Sequence, residues 1–192
     1  VHTRRVASFL LGIWIGCSLF LGIIAFQNLR SPSLILSMPA EGASKILQPV
    51  PPEQARLLLR HLAAEQNRLY FYAWEWVEIL LALLLGGCLL LATQRRILPL
   101  VLCGLMLAVV LVEHFAITPE LAYRGRAADF PPGSAIFGAQ ARVWVLTQVY
   151  AGMEMAKLLM GGILTSYLFY FRRRVRKEAD VAGQAHHTHA GR

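Results

Sequence analysis

The stretch Tyr70-Phe-Tyr-Ala-Trp-Glu-Trp-Val-Glu-Ile-Leu-Leu-Ala-Leu-Leu-Leu-Gly-Gly-Cys-Leu-Leu-Leu-Ala-Thr93 decides the fold of this chain. Glu75 and Glu78 are its only charged residues, and it contains no proline. An apolar run that exceeds about 18 residues with so few charges reads as a membrane-crossing helix. Upstream, Glu53-Gln-Ala-Arg-Leu-Leu-Leu-Arg-His-Leu62 is amphipathic, and Pro52 suits a first helical turn. The spacing predicts a helix over 53–93, single or bent near Asn67, that outruns a bilayer by about 20 Å.

Working outward, three further apolar runs predict helices over 6–26, 97–117 and 138–171. The first follows Arg4-Arg5; it is long and lacks a small-x-small cleavage site, so it reads as a retained helix rather than a signal peptide. Its Gly12, Gly16 and Gly22 have the small-residue spacing that lets helices approach in lipid, as do the pairs Gly86-Gly87 and Gly161-Gly162. Proline-punctuated loops are expected over 27–52 and 118–137, with Thr118-Pro119 ending the third helix and Pro131-Pro132-Gly133 breaking the second loop. A disordered cytoplasmic tail is expected over 179–192. The fold class read from this pattern is all-α: an integral membrane four-helix bundle with helices two and four extended beyond the outer face of the bilayer.

Composition agrees with that class and excludes others. Of 192 residues, 56% are hydrophobic and only 16% charged, too few charges to wet the surface of a soluble domain. The net charge of +8 lies in clusters beside apolar runs, a topology signal that argues against a nucleic-acid partner. Arg4-Arg5, Arg95-Arg96 and the cluster Arg172 to Lys177 place both termini in the cytoplasm of an inner-membrane protein. Tyr70, Tyr72, Trp74, Trp76 and Trp144 are expected to form an outer interfacial belt, with Tyr167 and Tyr170 on the inner side. Cys17, Cys88 and Cys103 lie in apolar runs without CxxC spacing and read as small packing residues.

Six polar residues interrupt the helices: Glu75, Glu78, Glu113, His114, Glu154 and Lys157. Measured along each helix from its cytoplasmic end, they fall in one slab roughly 21–27 Å deep. Two readings stay open. In one, the charges snorkel to the outer interface as a wet rim that keeps the helices in register, with Glu154 and Lys157 paired. In the other, four carboxylates against one lysine form a site that binds a cation or carries a proton.

No cofactor is expected. Haem held by two histidines needs a partner for His114, and His61 lies too far along its helix. Met106, Met153 and Met155 make no copper motif with a cysteine. His186-His187-Thr-His189 forms only a weak metal tract. The sequence contains no HExxH, GxSxG or P-loop, and no enzyme is expected. The partners expected are the lipid bilayer and other membrane subunits or further copies of the chain. An accessory or assembly subunit of a larger membrane complex, a redox complex included, is the alternative. A transporter is a third reading, although no inverted repeat is evident.

Gly12-Ile-Trp-Ile-Gly16, Asn67-Arg68 ahead of Trp74-Glu75-Trp76, Ile117-Thr-Pro-Glu120 and the loop containing Phe130 together resemble the transmembrane protein 205-like family. The resemblance spans about Arg5 to Phe171. It implies four membrane helices and little chemistry.

Overall fold

The computed structural model describes residues 2–38, 42, 49–92, 97–129 and 136–189, with side chains over 3–38, 42, 49–91, 97–129 and 141–169. Every element among them is helical: α1 (His2–Ser37), α2 (Pro52–Ala92), α3 (Ile97–Val112), a π turn (Glu113–Ile117), α4 (Thr118–Asp129) and α5 (Ile136–His189). Three stretches, Thr3–Ser37, Pro52–Leu91 and Ile97–Asp129, are long and apolar enough to cross a membrane.

Helical spacing explains the packing. Ala7, Leu11 and Trp14 on α1, Leu81, Leu85 and Leu89 with the adjacent Ala82 on α2, and Cys103, Met106 and Val110 on α3 recur every three or four residues. Each set forms one stripe, and the three stripes face a shared core that Leu164 of α5 completes. α1 packs on α2, α2 on α3, α3 on α5, and α5 returns to α1. Cross-helix contacts fix the directions. Trp14 meets Glu78 while Asn28 meets Asn67, so α1 and α2 are antiparallel. Cys103 meets the carbonyl of Ala82 while His114 meets Glu75, so α3 opposes α2.

The reverse faces are apolar too. Phe9, Phe20, Leu83, Leu91, Leu105, Phe115, Leu159 and Ile163 are all exposed. A water-facing helix would carry charge there.

Several expectations are corrected. The first helix does not stop at Phe26 but continues through Pro32 to Ser37. Polar ties hold this extension: Asn28 Nδ2 donates to Asn67 Oδ1 at 2.8 Å, and Asn67 Nδ2 donates to the carbonyl of Ala25 at 3.1 Å. Thr118-Pro119 does not end the third helix. The backbone N–H of Thr118 reaches the carbonyl of Glu113, five residues back, and Pro119 follows where the hydrogen-bond ladder has already changed register. The expected loop at 118–137 therefore begins as α4. The expected second helix holds as one piece, α2, without a division at Asn67. The tail expected to be disordered is helical through His189, in keeping with the helix formers of Lys177-Glu-Ala.

The packing glycines are corrected as well. Among the described residues, Gly12, Gly16, Gly22, Gly87 and Gly162 have no neighbour within 4 Å of an added Cβ, so no described helix packs on them there. Larger residues make the α1 contact instead. Only two fulfil the expected role: Gly86 faces the Cys103 sulfur at 3.8 Å, and Gly161 faces Ile15 at 3.4 Å. Trp74 is buried in the core rather than in an interfacial belt, whereas Tyr70, Tyr72, Trp76 and Trp144 are exposed. Arg95-Arg96, Pro131-Pro132-Gly133 and Phe130 lie outside the described residues, as do the side chains of Arg172 to Lys177, Tyr170 and His186 to His189.

Candidate functional site

The six polar residues singled out in the sequence converge on one level of the structure. Glu75, Glu78, Glu113, His114 and Lys157 are buried, and Glu154 is partly exposed. They form two adjoining networks.

The first centres on Lys157. Its ammonium donates to Glu78 Oε2 and Glu113 Oε2, each at 2.6 Å, and to Glu154 Oε1 at 3.0 Å. These carboxylates come from α2, the π turn and α5. α1 joins through Trp14, whose indole N–H donates to Glu78 Oε1 at 2.7 Å, and Ser18 Oγ lies 3.5 Å from the same oxygen. Lys157 thus spends its three donors on three acids, and every long helix reaches the cluster.

The second network centres on Glu75. Thr118 Oγ1 donates to Glu75 Oε1, and His114 Nδ1 lies 2.9 Å from Oε2. The imidazole is packed among Tyr72, Trp76 and Phe115, with ring centroids 4.6–5.0 Å away. The π turn makes the arrangement possible. Buried positions on α3 follow Pro99, Cys103, Met106 and Val110, and the wider turn then buries both Glu113 and its neighbour His114. A π turn at a polar site is a recurrent device for such re-aiming.

Three buried polar atoms have no hydrogen-bond partner among the described residues: Glu113 Oε1, Tyr150 OH and Trp74 Nε1. Tyr150 packs edge-on against Phe71, with centroids 5.3 Å apart. Buried groups of this kind are rare enough in folded proteins to mark where a ligand or water belongs.

The metal chemistry of the donors is specific. One oxygen each from Glu78, Glu113 and Glu154 lies within 4.8 Å of the others, the spacing of an ion seat, but the Lys157 ammonium contacts all three residues. His114 is engaged with Glu75, and His61, the other histidine with a described side chain, lies 2.8 Å from Asp129.

A separate clamp, missed in the sequence, lies nearly three helical turns further along α2. Asp129 Oδ2 receives Arg68 at 3.0 Å and His61 at 2.8 Å. Glu65 is gripped by Arg68 at 2.6 Å and by Arg126 through both oxygens, at 2.7 and 3.0 Å. The hydrogen bond from Arg126, with Arg68 beside it, holds the Glu65 carboxyl well below its ordinary range, at about 2. Gly125 lies against the Arg68 guanidinium, and an added Cβ would collide with it. Glu65 and Arg68 are three apart on a helix, which was the available signal. Their tie to α4 was hidden because that segment read as loop.

No family model, no curated protein and no solved structure matches this chain.

Proposed function

We propose that the chain is a non-enzymatic integral inner-membrane protein, a four-helix bundle with both termini in the cytoplasm. Its charged layer clamps the helices and binds a cation or proton. The observation that carries this reading is the Lys157 ammonium, buried and held by three carboxylates from three elements, with Trp14 adding the fourth helix. In lipid, apolar contact gives no hydrophobic drive between helices, so polar ties across them carry a larger share of the association. The apolar outer faces and the three long apolar helices support the membrane setting. The basic clusters near the helix ends support the orientation.

The resemblance to the transmembrane protein 205-like family is part of the proposal. Residues that carry it meet in the structure: Trp14 reaches Glu78, Thr118 reaches Glu75, and Asn67 and Arg68 tie α2 to its neighbours.

The test is the thermal unfolding of the protein in mild detergent, with and without added cations. Lys157→Met should melt well below the wild type; equal melting would remove the clamp. A second reading, an accessory subunit of a larger membrane complex, is favoured by the open glycine edge of α1 at Gly12 and Gly16, flanked by exposed Phe9 and Phe20. Intact-complex mass measurement after gentle solubilisation separates the two readings. A stoichiometric second protein supports the subunit, and its absence supports the self-sufficient bundle.

A further inference from the structure

We propose that the ligand of the charged layer is a proton, which binds on Glu113 and arrives through Glu154. The proposal rests on reading the layer as a membrane-embedded clamp and names what that clamp binds.

The seat for a metal ion is taken. The acidic oxygens that would surround a cation already surround Lys157, at 2.6, 2.6 and 3.0 Å. A second cation would have to displace an ammonium whose three N–H groups are all engaged. Yet one ammonium does not neutralise three carboxylates. If all three are ionised, two negative charges are left over in an apolar interior, where an unpaired charge is costly. Protons relieve that excess without needing space.

Hydrogen bonding selects the acceptor. Glu78 is held at both oxygens, by Lys157 on one and by Trp14 and Ser18 on the other, so a proton arriving there would have to displace a donor already in place. Glu113 is fully buried and receives Lys157 on one oxygen only; its Oε1 has no donor. Glu113 therefore gains most from becoming a neutral acid. Glu154 has a side chain 19% exposed, the one acid of the three that the protein does not fully enclose, and one of its oxygens lies within 4.8 Å of one from Glu113.

A second observation points the same way. Tyr150 and Trp74 are each more than nine-tenths buried, and their O–H and N–H lack acceptors. Tyr150 shares a face of α5 with Glu154 and Lys157, and the carboxylates of Glu154, Glu75, Glu113 and Glu78 lie within electrostatic reach of its hydroxyl. A donor without an acceptor in the neighbourhood of an acceptor without a donor suits a water molecule that carries a proton.

The step is a simple transfer. A proton taken up by the Glu154 carboxylate passes to the Glu113 carboxylate, which leaves Glu154 ionised and Glu113 a neutral carboxyl group, and no electrons move. The groups on these acids are Trp14 and Ser18 from α1, Glu78 from α2, and Tyr150, Glu154 and Lys157 from α5, and the adjoining network holds Glu75, His114 and Thr118. His114 is already committed to Glu75.

The experiment uses the full chain in lipid nanodiscs and infrared difference spectra between mildly alkaline and mildly acidic buffer. A titrating carboxylic-acid C=O band that shifts in D2O is expected in the wild type. It should vanish in Glu113→Gln, move in frequency in Glu113→Asp, and exchange more slowly in Glu154→Gln. No such band in the wild type, or a full band in Glu113→Gln, overturns the proposal. Unchanged exchange in Glu154→Gln overturns the route. A rise in wild-type melting temperature with Mg2+ or Zn2+ overturns the choice of proton over metal. The Lys157→Met melt separates the two levels: lowered melting without the infrared band removes the proton and keeps the clamp, whereas unchanged melting removes the clamp itself.

Discussion

The Trp14 indole donates a 2.7 Å hydrogen bond to Glu78 Oε1, joining residues 64 positions apart in the chain. It brings the one long helix without an acid or lysine at this level into the charged layer. It also leaves Glu78 with no free oxygen, since Lys157 holds the other. Trp14→Phe keeps the packing volume nearly intact and removes the donor. A loss of about 1–3 kcal/mol is expected on unfolding in detergent. The hydrogen-bond part of the loss should disappear when Trp14→Phe is made in a Glu78→Leu background, which lacks the acceptor, and a double-mutant cycle measures the difference.

Lys157→Met should be the most damaging single change. It leaves three carboxylates clustered without their counter-charge, and breaking a buried ion pair from one side costs about 3–5 kcal/mol. Adding Glu78→Gln to Lys157→Met should recover part of the loss, because one uncompensated charge is removed. Chemical unfolding of both variants checks the order.

Gly125→Ala tests the distant clamp. The new methyl group would strike the Arg68 guanidinium, which Glu65 and Asp129 hold in place. A cost of about 1–3 kcal/mol is expected from overcrowding. Arg68→Ala combined with Gly125→Ala should show no additional cost from the methyl group, as read by melting temperature.

The clamp should also respond to acid. Glu65 has its carboxyl lowered from an ordinary 4.5 to about 2, chiefly by the hydrogen bond from Arg126. A depressed folded-state value means that the stabilisation is complete above about 4.5 and is lost as pH falls through about 2. Arg126 is well exposed, so salt should weaken the effect. Pepsin digestion gives the readout. Wild-type α2 should resist cleavage near Glu65 until pH approaches 2, whereas Glu65→Gln should be cut already in milder acid.

The level of the charged layer was legible in the sequence because a helix rises at a fixed rate, so counting from the helix ends aligned Glu75, Glu78, Glu113, His114, Glu154 and Lys157. Which of them would touch was not legible. Pairing depends on the rotation of each helix about its axis, and the π turn at Glu113 changes that rotation in a way no residue type announces. Trp14 was missed for a different reason: a count of charges cannot register an indole N–H. Pro32 and Pro119 misled in the same direction. Proline marks a missing donor, but the chain tolerates that loss where Asn28 and Asn67 brace the helix or where the ladder already shifts. The glycines misled because spacing shows that close approach is permitted, not that another helix is there.

The five-residue turn Glu113–Ile117 has one more consequence. It works as a phase shifter between two halves of a continuous rod. Winding the same five residues as an ordinary spiral, with none deleted, would swing everything beyond them by roughly 100°, one residue's rotation. Arg126 and Asp129 would then point away from Glu65, Arg68 and His61, although none of those five had been altered. The angular setting of the distant clamp is therefore written into the same few residues that supply Glu113 and His114 to the charged layer, so neither can be re-tuned without dragging the other.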